Sequence, residues 1–449
     1  DLLNSTYWCS LIGLRREVHK HPEPGFKEVR TSGRIREVLE QFGGVSASQI
    51  RSSAITGLVI DVKGTGPAKA DAEIKCVALR SDLDALTMTE DNANLPYRSV
   101  NEGIAHMCGH DGHIAALVGT AILVQKRADR IPSNCTVRFL FQPAEESTPP
   151  GTGGFDYKRT GGGGAMPMID DGCLEGVDEI YGWHNWPAWP FGSLAIRPGA
   201  VMARVVTFKV IIHGSGGHGS QPHACFDPIV CGASVVTALQ TIVSRSLPSA
   251  SNAVVTVGIF KAGERNNVIP QTATLEGTCR DVDDSVYAIL QRRFKEVVTN
   301  VCKGFQCTAD IDWNVVYPAL MNHESCVSVV ERCAKKLTGP VAVETTSDNL
   351  PMLGGEDFSF YLKERPGAFF FLGTKEPTLQ GLAAFEGSND APRTNCICHG
   401  TTFDFNDNIL PRAVMMLISI LEDRFGIALY TQDEVLDTST PKAEPDPKR

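Results

Sequence analysis

Residues 106–146, HMCGHDGHIAALVGTAILVQKRADRIPSNCTVRFLFQPAEE, decide the fold class of the 449-residue chain. A histidine-dense turn opens onto an apolar run at 114–126 that reads as a helix. A run rich in Val, Leu and Phe at 136–141 then reads as a strand, ending just before the adjacent carboxylates Glu145 and Glu146. A helix feeding a strand is the repeating unit of an α/β layered sheet. The alternation extends outward, with strands expected at 74–79, 179–183 and 368–372 and a helix at 409–425. Near the start, residues 11–42 carry helical spacing broken by His21-Pro22-Glu23-Pro24-Gly25, which predicts two helices joined by a loop.

Between 203 and 317 the order changes to a strand (205–212), a helix (227–245), two strands (254–260 and 272–279), a helix (285–301) and a strand (307–313). This β-α-β-β-α-β order is ferredoxin-like. Because α/β alternation resumes afterwards, the segment reads as an insertion. The expected architecture is a mixed, mostly parallel α/β domain formed by 1–202 and 318–430, an inserted ferredoxin-like α+β domain at 203–317, and a disordered polar tail at 431–449. Two Gly/Pro/polar-rich stretches, 147–164 and 374–395, are long for compact connections and read as lids or insertions.

Composition narrows the function. With 42 Lys plus Arg against 52 Asp plus Glu and no basic run, the chain is a poor partner for a phosphate backbone. Its longest apolar runs, such as 413–421, fall short of the roughly 20 residues a membrane-spanning helix needs. Fourteen cysteines lie scattered, several inside apolar runs, so most read as buried thiols of a reducing compartment such as the cytoplasm. A targeting segment removed before Asp1 is compatible with that.

Metal chemistry is the strongest reading of the 106–113 turn. It packs His106, Cys108, His110, Asp111 and His113 into eight residues, and thiolate with imidazole suits zinc and related cations. The plainer reading has Asp111 capping a helix and the histidines on a solvated turn. Glu145 and Glu146 follow a strand directly, so one can bind a metal while the other takes a proton from water. Asp82 after the 74–79 strand and His184 after the 179–183 strand would gather on the same carboxyl edge of the sheet. His399, within Cys396-Ile397-Cys398-His399-Gly400, supplies a further imidazole, and that segment lacks the second ligand pair of a zinc finger. A hydrolase using Cys108 as nucleophile stays open, although it leaves the paired glutamates without work. No Lys-Ser/Thr follows the glycine run at 161–164, so a nucleotide loop has no support.

Taken together, the blocks LRREVHKHPEPGFKE, VALRSDLDAL, HMCGHDGHIAALVGTA, VRFLFQPAEE, GGGGAMPMIDDGCLEGVDEIYGWH, GSGGHGSQPH, GGEDFSFYL and CHGTTFDFND resemble the aminoacylase/carboxypeptidase superfamily of dinuclear metallopeptidases. The N-acyl-amino-acid amidohydrolase branch, with its hippurate and auxin-conjugate hydrolases, is the most similar. The resemblance implies two divalent metal ions per subunit, zinc or manganese, held by Cys108, His110, Glu146, His184 and His399. It makes Glu145 the general base and Asp82 the carboxylate that orients a ligand imidazole. The insertion would be a lid and dimerisation domain, giving a homodimer in which His218 stabilises the oxyanion and Asn267 and Arg280 grip the substrate carboxylate. The implied activity is hydrolysis of N-acyl-amino acids, with a dipeptidase or carboxypeptidase as alternative and a non-catalytic acyl-amino-acid-binding module as the reading of another class. Two departures stand out. Arg80 occupies the position where many superfamily members place a metal-binding His, and both long loops exceed the usual spacing, so specificity does not transfer from any one relative.

Overall fold

In the computed structural model the described residues are 5–148, 152–375, 397–430 and 434. Most of the 374–395 stretch and of the expected tail therefore lies outside the described residues. The chain divides into two units, one of Asp1–Gly199, Asn322–Leu350 and Phe360–Arg449, the other of Ala200–Met321 and Pro351–Ser359.

The first unit is built on an eight-stranded mixed sheet. Its first six strands in the chain are β1 (Ile50–Ser53), β2 (Gly57–Lys63), β3 (Cys76–Asp82), β4 (Thr136–Gln142), β5 (Glu179–Pro190) and β6 (Ser193–Ala195), joined by Glu344–Thr346 and Gly367–Lys375. The order across the sheet is β1-β2-β4-β3-β5, then Gly367–Lys375, β6 and Glu344–Thr346. Strands β4, β3, β5 and Gly367–Lys375 are mutually parallel and form the centre. Every residue of β3 is buried, as a parallel strand covered on both faces requires. Strand β5 runs on to Pro190 rather than stopping near residue 183, so His184 lies within a strand and not beyond one.

Helices α1 (Ser5–Lys20), α2 (Val29–Gln41) and α3 (His110–Lys126) cover this sheet together with Leu410–Phe425. The two helices expected in the first 42 residues are present. Helix α3 is buried continuously from His110 to Val124, hydrophobic all round as a central helix must be. Leu11 of α1 packs beside Gly119 of α3, where a Cβ would meet its Cδ1 at 2.6 Å.

The second unit is a four-stranded antiparallel sheet in the order Ala253–Ala262, Thr272–Asp281, Arg204–His213, Thr308–Tyr317. Helices Pro228–Thr241 and Asp284–Gly304 pack on it around Phe208, Val235, Leu275 and Phe294, which gives the ferredoxin-like arrangement. Pro351–Ser359, expected with the first domain, clusters with this unit. A second expectation also changes. The helical stretch Pro228–Ser246 is long and apolar enough to cross a membrane by length and composition, longer than any run singled out from the sequence. Here it lays Cys231, Val235, Leu239 and Ile242 against the sheet.

One turn apart on α1, Arg15 and His19 are both fully buried. His19 donates from Nδ1 to Asp111 (3.0 Å) and from Nε2 to Glu90 (3.3 Å). Burial opposes its charge, but the two carboxylates prevail and raise the imidazole from 6.5 to about 9. A raised folded pKa stabilises fully below the unfolded value and ceases to do so as pH climbs through the folded one. The shift corresponds to on the order of 3 kcal/mol. Urea unfolding of the metal-free protein and its His19→Gln variant is expected to show the largest stability gap near pH 6 and a much smaller one near pH 9.5. A gap independent of pH would mean that His19 is neutral in the folded protein.

Candidate metal centre

Strand β3 ends at Asp82, which pairs with Gln142 of β4 in the register that also sets Arg80 beside Gly182 of β5. That register brings Asp82, the segment after Gln142 and His184 to one level of the sheet's carboxyl edge, where α/β sheets bind ligands. The chain past β3 then contributes Asp84, whose carboxylate accepts the backbone N–H of Glu145 (2.9 Å) and of Glu146 (3.0 Å). Glu28 holds the preceding residue, accepting from the Ala144 N–H at 2.9 Å and from the Thr56 hydroxyl at 2.6 Å. Burial, reinforced by Asp84, lifts the Glu28 carboxyl to about 7.

Helix α3 delivers the imidazoles. His110 donates from Nδ1 to the Asp84 carbonyl at 2.9 Å, so Nε2 is the nitrogen left for another partner, and in the metal-free protein the neighbouring Asp82 and Asp84 hold the imidazole protonated against its burial. That Nε2 is buried without a hydrogen-bond partner among the described residues, 3.8 Å from a Glu145 oxygen. Gly109 stands before it at φ 106, and a Cβ there would collide with the Asn185 side chain, so both backbone and space require glycine. Cys108 Sγ is 3.3 Å from His184 Nε2, and His184 Nδ1 is fixed by the Asn185 carbonyl at 2.6 Å. His399 sits at φ 65, held by its N–H on the Met107 carbonyl (2.7 Å), with Nε2 3.0 Å from a Glu146 oxygen.

Two donor sets thus share one sulfur: Cys108, His110 and His184 in one, Cys108, Glu146 and His399 in the other, with ligand atoms of each set within 4.8 Å of one another. Thiolate, imidazole and carboxylate in this mixture fit zinc-like divalent cations, and the unpartnered His110 Nε2 is the nitrogen such an ion would use. The alternative thiol–imidazole dyad is disfavoured by its surroundings. Cys398, burial and Glu146 push the Cys108 thiol well above its ordinary range, while burial and the nearby His113 hold His184 well below its own. A nucleophilic thiolate needs the opposite of both shifts. A cation reverses them, since a coordinating thiol gives up its proton outright.

Asp82 differs from its expected role. One oxygen takes His113 Nδ1 at 2.7 Å and the other Arg80 Nη1 at 2.9 Å, whereas His110 Nε2 lies 3.7 Å away. Its hydrogen-bonded imidazole is therefore His113, and the orientation of His110 falls to Asp84. His113 is itself locked, its Nε2 2.7 Å from Asn185 Oδ1. Burial opposes the ionisation of Asp82, yet His110, His113 and Arg80 hold it well below the usual carboxylate range.

In the second unit, His218 and Asn267 come side by side. His218 pairs with Val268, and the Gly219 N–H donates to the Asn267 carbonyl at 2.8 Å. Both residues are exposed. Ser220 Oγ lies 2.8 Å from His218 Nδ1, which leaves Nε2 as the nitrogen open to another partner. Arg280 is on the separate strand Thr272–Asp281, half-buried, and burial lowers its pKa. No ion pair joins it to a carboxylate among the described residues.

Asp84, Glu28 and Asn185 were not singled out as site residues from the sequence, and His113 entered only as a member of the 106–113 cluster, without a role of its own. For Asp84 a signal existed, the alternating acids of Ser81-Asp82-Leu83-Asp84 at a strand's end.

Residues 78–384 match peptidase family M20/M25/M40. An N-acetyl-L-cysteine deacetylase of Bacillus subtilis is 38% identical over 371 residues, covering 82% of either chain. A hippurate hydrolase of Campylobacter jejuni is 32% identical over 402 residues, covering 89% of this chain and 92% of the relative. A dinuclear metal-binding peptidase of the M20 family from Bacillus subtilis superposes with a TM-score of 0.70 at 28% identity, covering 92% of this chain and 97% of the other. The chain therefore belongs to peptidase family M20/M25/M40 and is a metal-binding hydrolase of the amidohydrolase and peptidase type.

Proposed function

We propose that the protein hydrolyses the amide bond of N-acyl-amino acids, with Glu145 as general base beside two divalent cations, Zn²⁺ or Mn²⁺, held by Cys108, His110, Glu146, His184 and His399. One observation carries this reading. Asp84 grips the N–H groups of both glutamates, and both have an oxygen near His110, yet among the described residues only Glu146 also joins Cys108 and His399, at 3.0 Å from a His399 nitrogen. Adjacent carboxylates are thereby given different work. The names of the relatives, one acting on N-acetyl-L-cysteine and one on hippurate, support an acylated amino acid as substrate.

When bound, the cations supply an electrophile and a water acidic enough to ionise near neutral pH. Glu145 accepts that water's proton as the oxygen attacks the amide carbonyl, then returns it to the departing amine nitrogen. Asp84 keeps Glu145 in place through its backbone, and burial of the carboxylate excludes competing solvent. His218, with Nδ1 engaged by Ser220, donates from Nε2 to the oxyanion. Asn267 and Arg280 bind the substrate's own carboxylate. We also infer a homodimer formed through the second unit, where Ile229, Val230, Ile259, Phe260 and Val268 are all more than a third exposed.

Glu145→Gln is expected to retain full metal content by elemental analysis while turnover falls by about 10²–10⁴-fold. Near-normal turnover in the metal-loaded variant would remove Glu145 from the reaction. In mixed dimers of His218→Ala and Glu145→Gln subunits, recovered activity would show that His218 serves the neighbouring subunit's site, and silence in verified heterodimers would assign each site to a single chain. Exhaustive chelation should abolish hydrolysis of acyl-amino acids, and Mn²⁺ or Zn²⁺ should restore it. A screen of acyl-amino acids against dipeptides under each metal then separates the aminoacylase reading from the dipeptidase one, and activity that survives chelation would return Cys108 to consideration as a nucleophile.

A further inference from the structure

Arg15 of α1 carries a permanent charge with no exposed surface, which is costly unless every partner is placed to meet it. Its partners come from three places in the sequence: Tyr97, which accepts from Nη2 at 3.3 Å and lies under the guanidinium, and two charged segments at 111 and 404–407. Nε donates to Asp407 at 2.7 Å, and Nη2 donates to Asp404 at 3.1 Å and to the Phe405 carbonyl at 2.8 Å. Nη1 stands 3.5 Å from Asp111, a Coulombic contact without a hydrogen bond. Asp111 follows His110 directly, and the 404–407 segment follows His399 by five to eight residues.

The two segments differ in how else they are held. His110 opens α3 and is fixed by the helix and by the Asp84 carbonyl. From 397 to 406 the described chain has no helix or strand. His399 stands there in the left-handed region, a conformation that persists in a non-glycine residue only when its surroundings impose it. Its turn is tied at one end by the Met107 carbonyl and further along by Asn92 Nδ2 on the Phe403 carbonyl at 2.9 Å. Beyond that point Tyr97 donates to Asp404 at 2.8 Å, the partly exposed Arg16 donates to Asp407 at 3.0 and 2.8 Å, and the fully buried Arg15 fork adds three hydrogen bonds from a guanidinium whose geometry is rigid.

We propose that Arg15 is a positioning residue for the metal centre, holding the His399 segment against the first turn of α3 so that the Cys108, Glu146 and His399 donors converge. The inference rests on the metal reading given above. It assigns Arg15 unequal leverage: the donor set with His399 depends on it, and the set of Cys108, His110 and His184 does not. A residue with a merely structural role would loosen both sets together.

The test is titration of the purified full-length protein with Zn²⁺ against a chromophoric chelator, alongside urea unfolding of the metal-free form. In Arg15→Met, one of the two bound equivalents should weaken by roughly 10–100-fold, the usual effect of removing a residue that orients a ligand, while the other keeps its affinity. Hydrolysis should return toward the parent rate when Zn²⁺ is raised to saturation. Arg15→Lys keeps the charge without the fork and should weaken the same equivalent. Asp404→Asn, which removes one partner of the fork at a partly exposed position, gives the same reading if Arg15→Met does not fold. Parent-like affinity for both equivalents in folded variants would overturn the role of Arg15 alone, as would equal weakening of both. A parent protein that binds no Zn²⁺ would overturn the metal reading and this one with it.

Discussion

Asp84 places one buried carboxylate where three separate pieces of chain must meet. Its oxygens take the N–H groups of Glu145 and Glu146, and its own carbonyl takes Nδ1 of His110. Each backbone N–H would otherwise be an unpaired donor in a dry interior, at a cost of about 1–3 kcal/mol. Satisfying them through a single residue couples the end of β4 to the start of α3, and the His110 tautomer follows from the same contact. Loss of Asp84 would therefore disturb the paired glutamates and the imidazole at once, although Asp84 is not itself in either three-donor set that shares Cys108.

The charge around this residue explains why the centre is both rigid and strained. Glu28, Asp82, Asp84 and Asp111 are all fully buried, and Glu145 nearly so, within one edge of a sheet. Burial, and after it the like charge of Asp84, pushes Glu28 toward protonation, whereas cationic neighbours hold Asp82 and Asp111 below the usual carboxylate range. Arg15, His19 and Arg80 are the buried cations that answer part of this density. Cys108 sits among the remainder with its thiol pushed upward, so its use as a ligand depends on positive charge arriving from outside the chain. Such a cluster costs stability in return for a preorganised binding site, the usual bargain at a functional centre.

The sequence was most informative where pattern and chemistry coincide. The apolar run after His110 and the β-branched run before Glu145 were legible because both obey a period and end in groups that metals or protons use. The family resemblance rested on the same blocks and agrees with the M20/M25/M40 match. What stayed hidden are roles that exist only in tertiary contact. The acids alternating at 82 and 84 mark Asp84 as a candidate, but its partners are backbone N–H groups 61 and 62 residues away, which only the folded chain reveals. Arg15 and His19 look like ordinary polar positions of an amphipathic helix until their partners at 90, 111 and 404–407 fold against them. Asp82 is a subtler case. A carboxylate beside histidines was expected to orient a ligand imidazole, but α3 turns His113 toward it and leaves His110 to the chain two residues further on.

Arg80 shows how one substitution reorganises such a site. A guanidinium has five donors and no acceptor, so it cannot replace a ligand histidine. It lies fully buried between strands, donating to Asp82 at 2.9 Å and to Gln142 at 2.9 Å. One Asp82 oxygen is thereby committed to Arg80 and the other to His113, and the carboxylate is held ionised. On the proposed function, a ligand would then have to come from elsewhere. Cys108 is the residue positioned to do so, because its sulfur belongs to both donor sets and lies within reach of His184. As a ligand, the Cys108 thiolate would be softer than an imidazole and would favour cations that tolerate sulfur. On the proposed function, Arg80 and Cys108 would then act as one compensating pair, the guanidinium fixing Asp82 and the sulfur standing in both candidate donor sets.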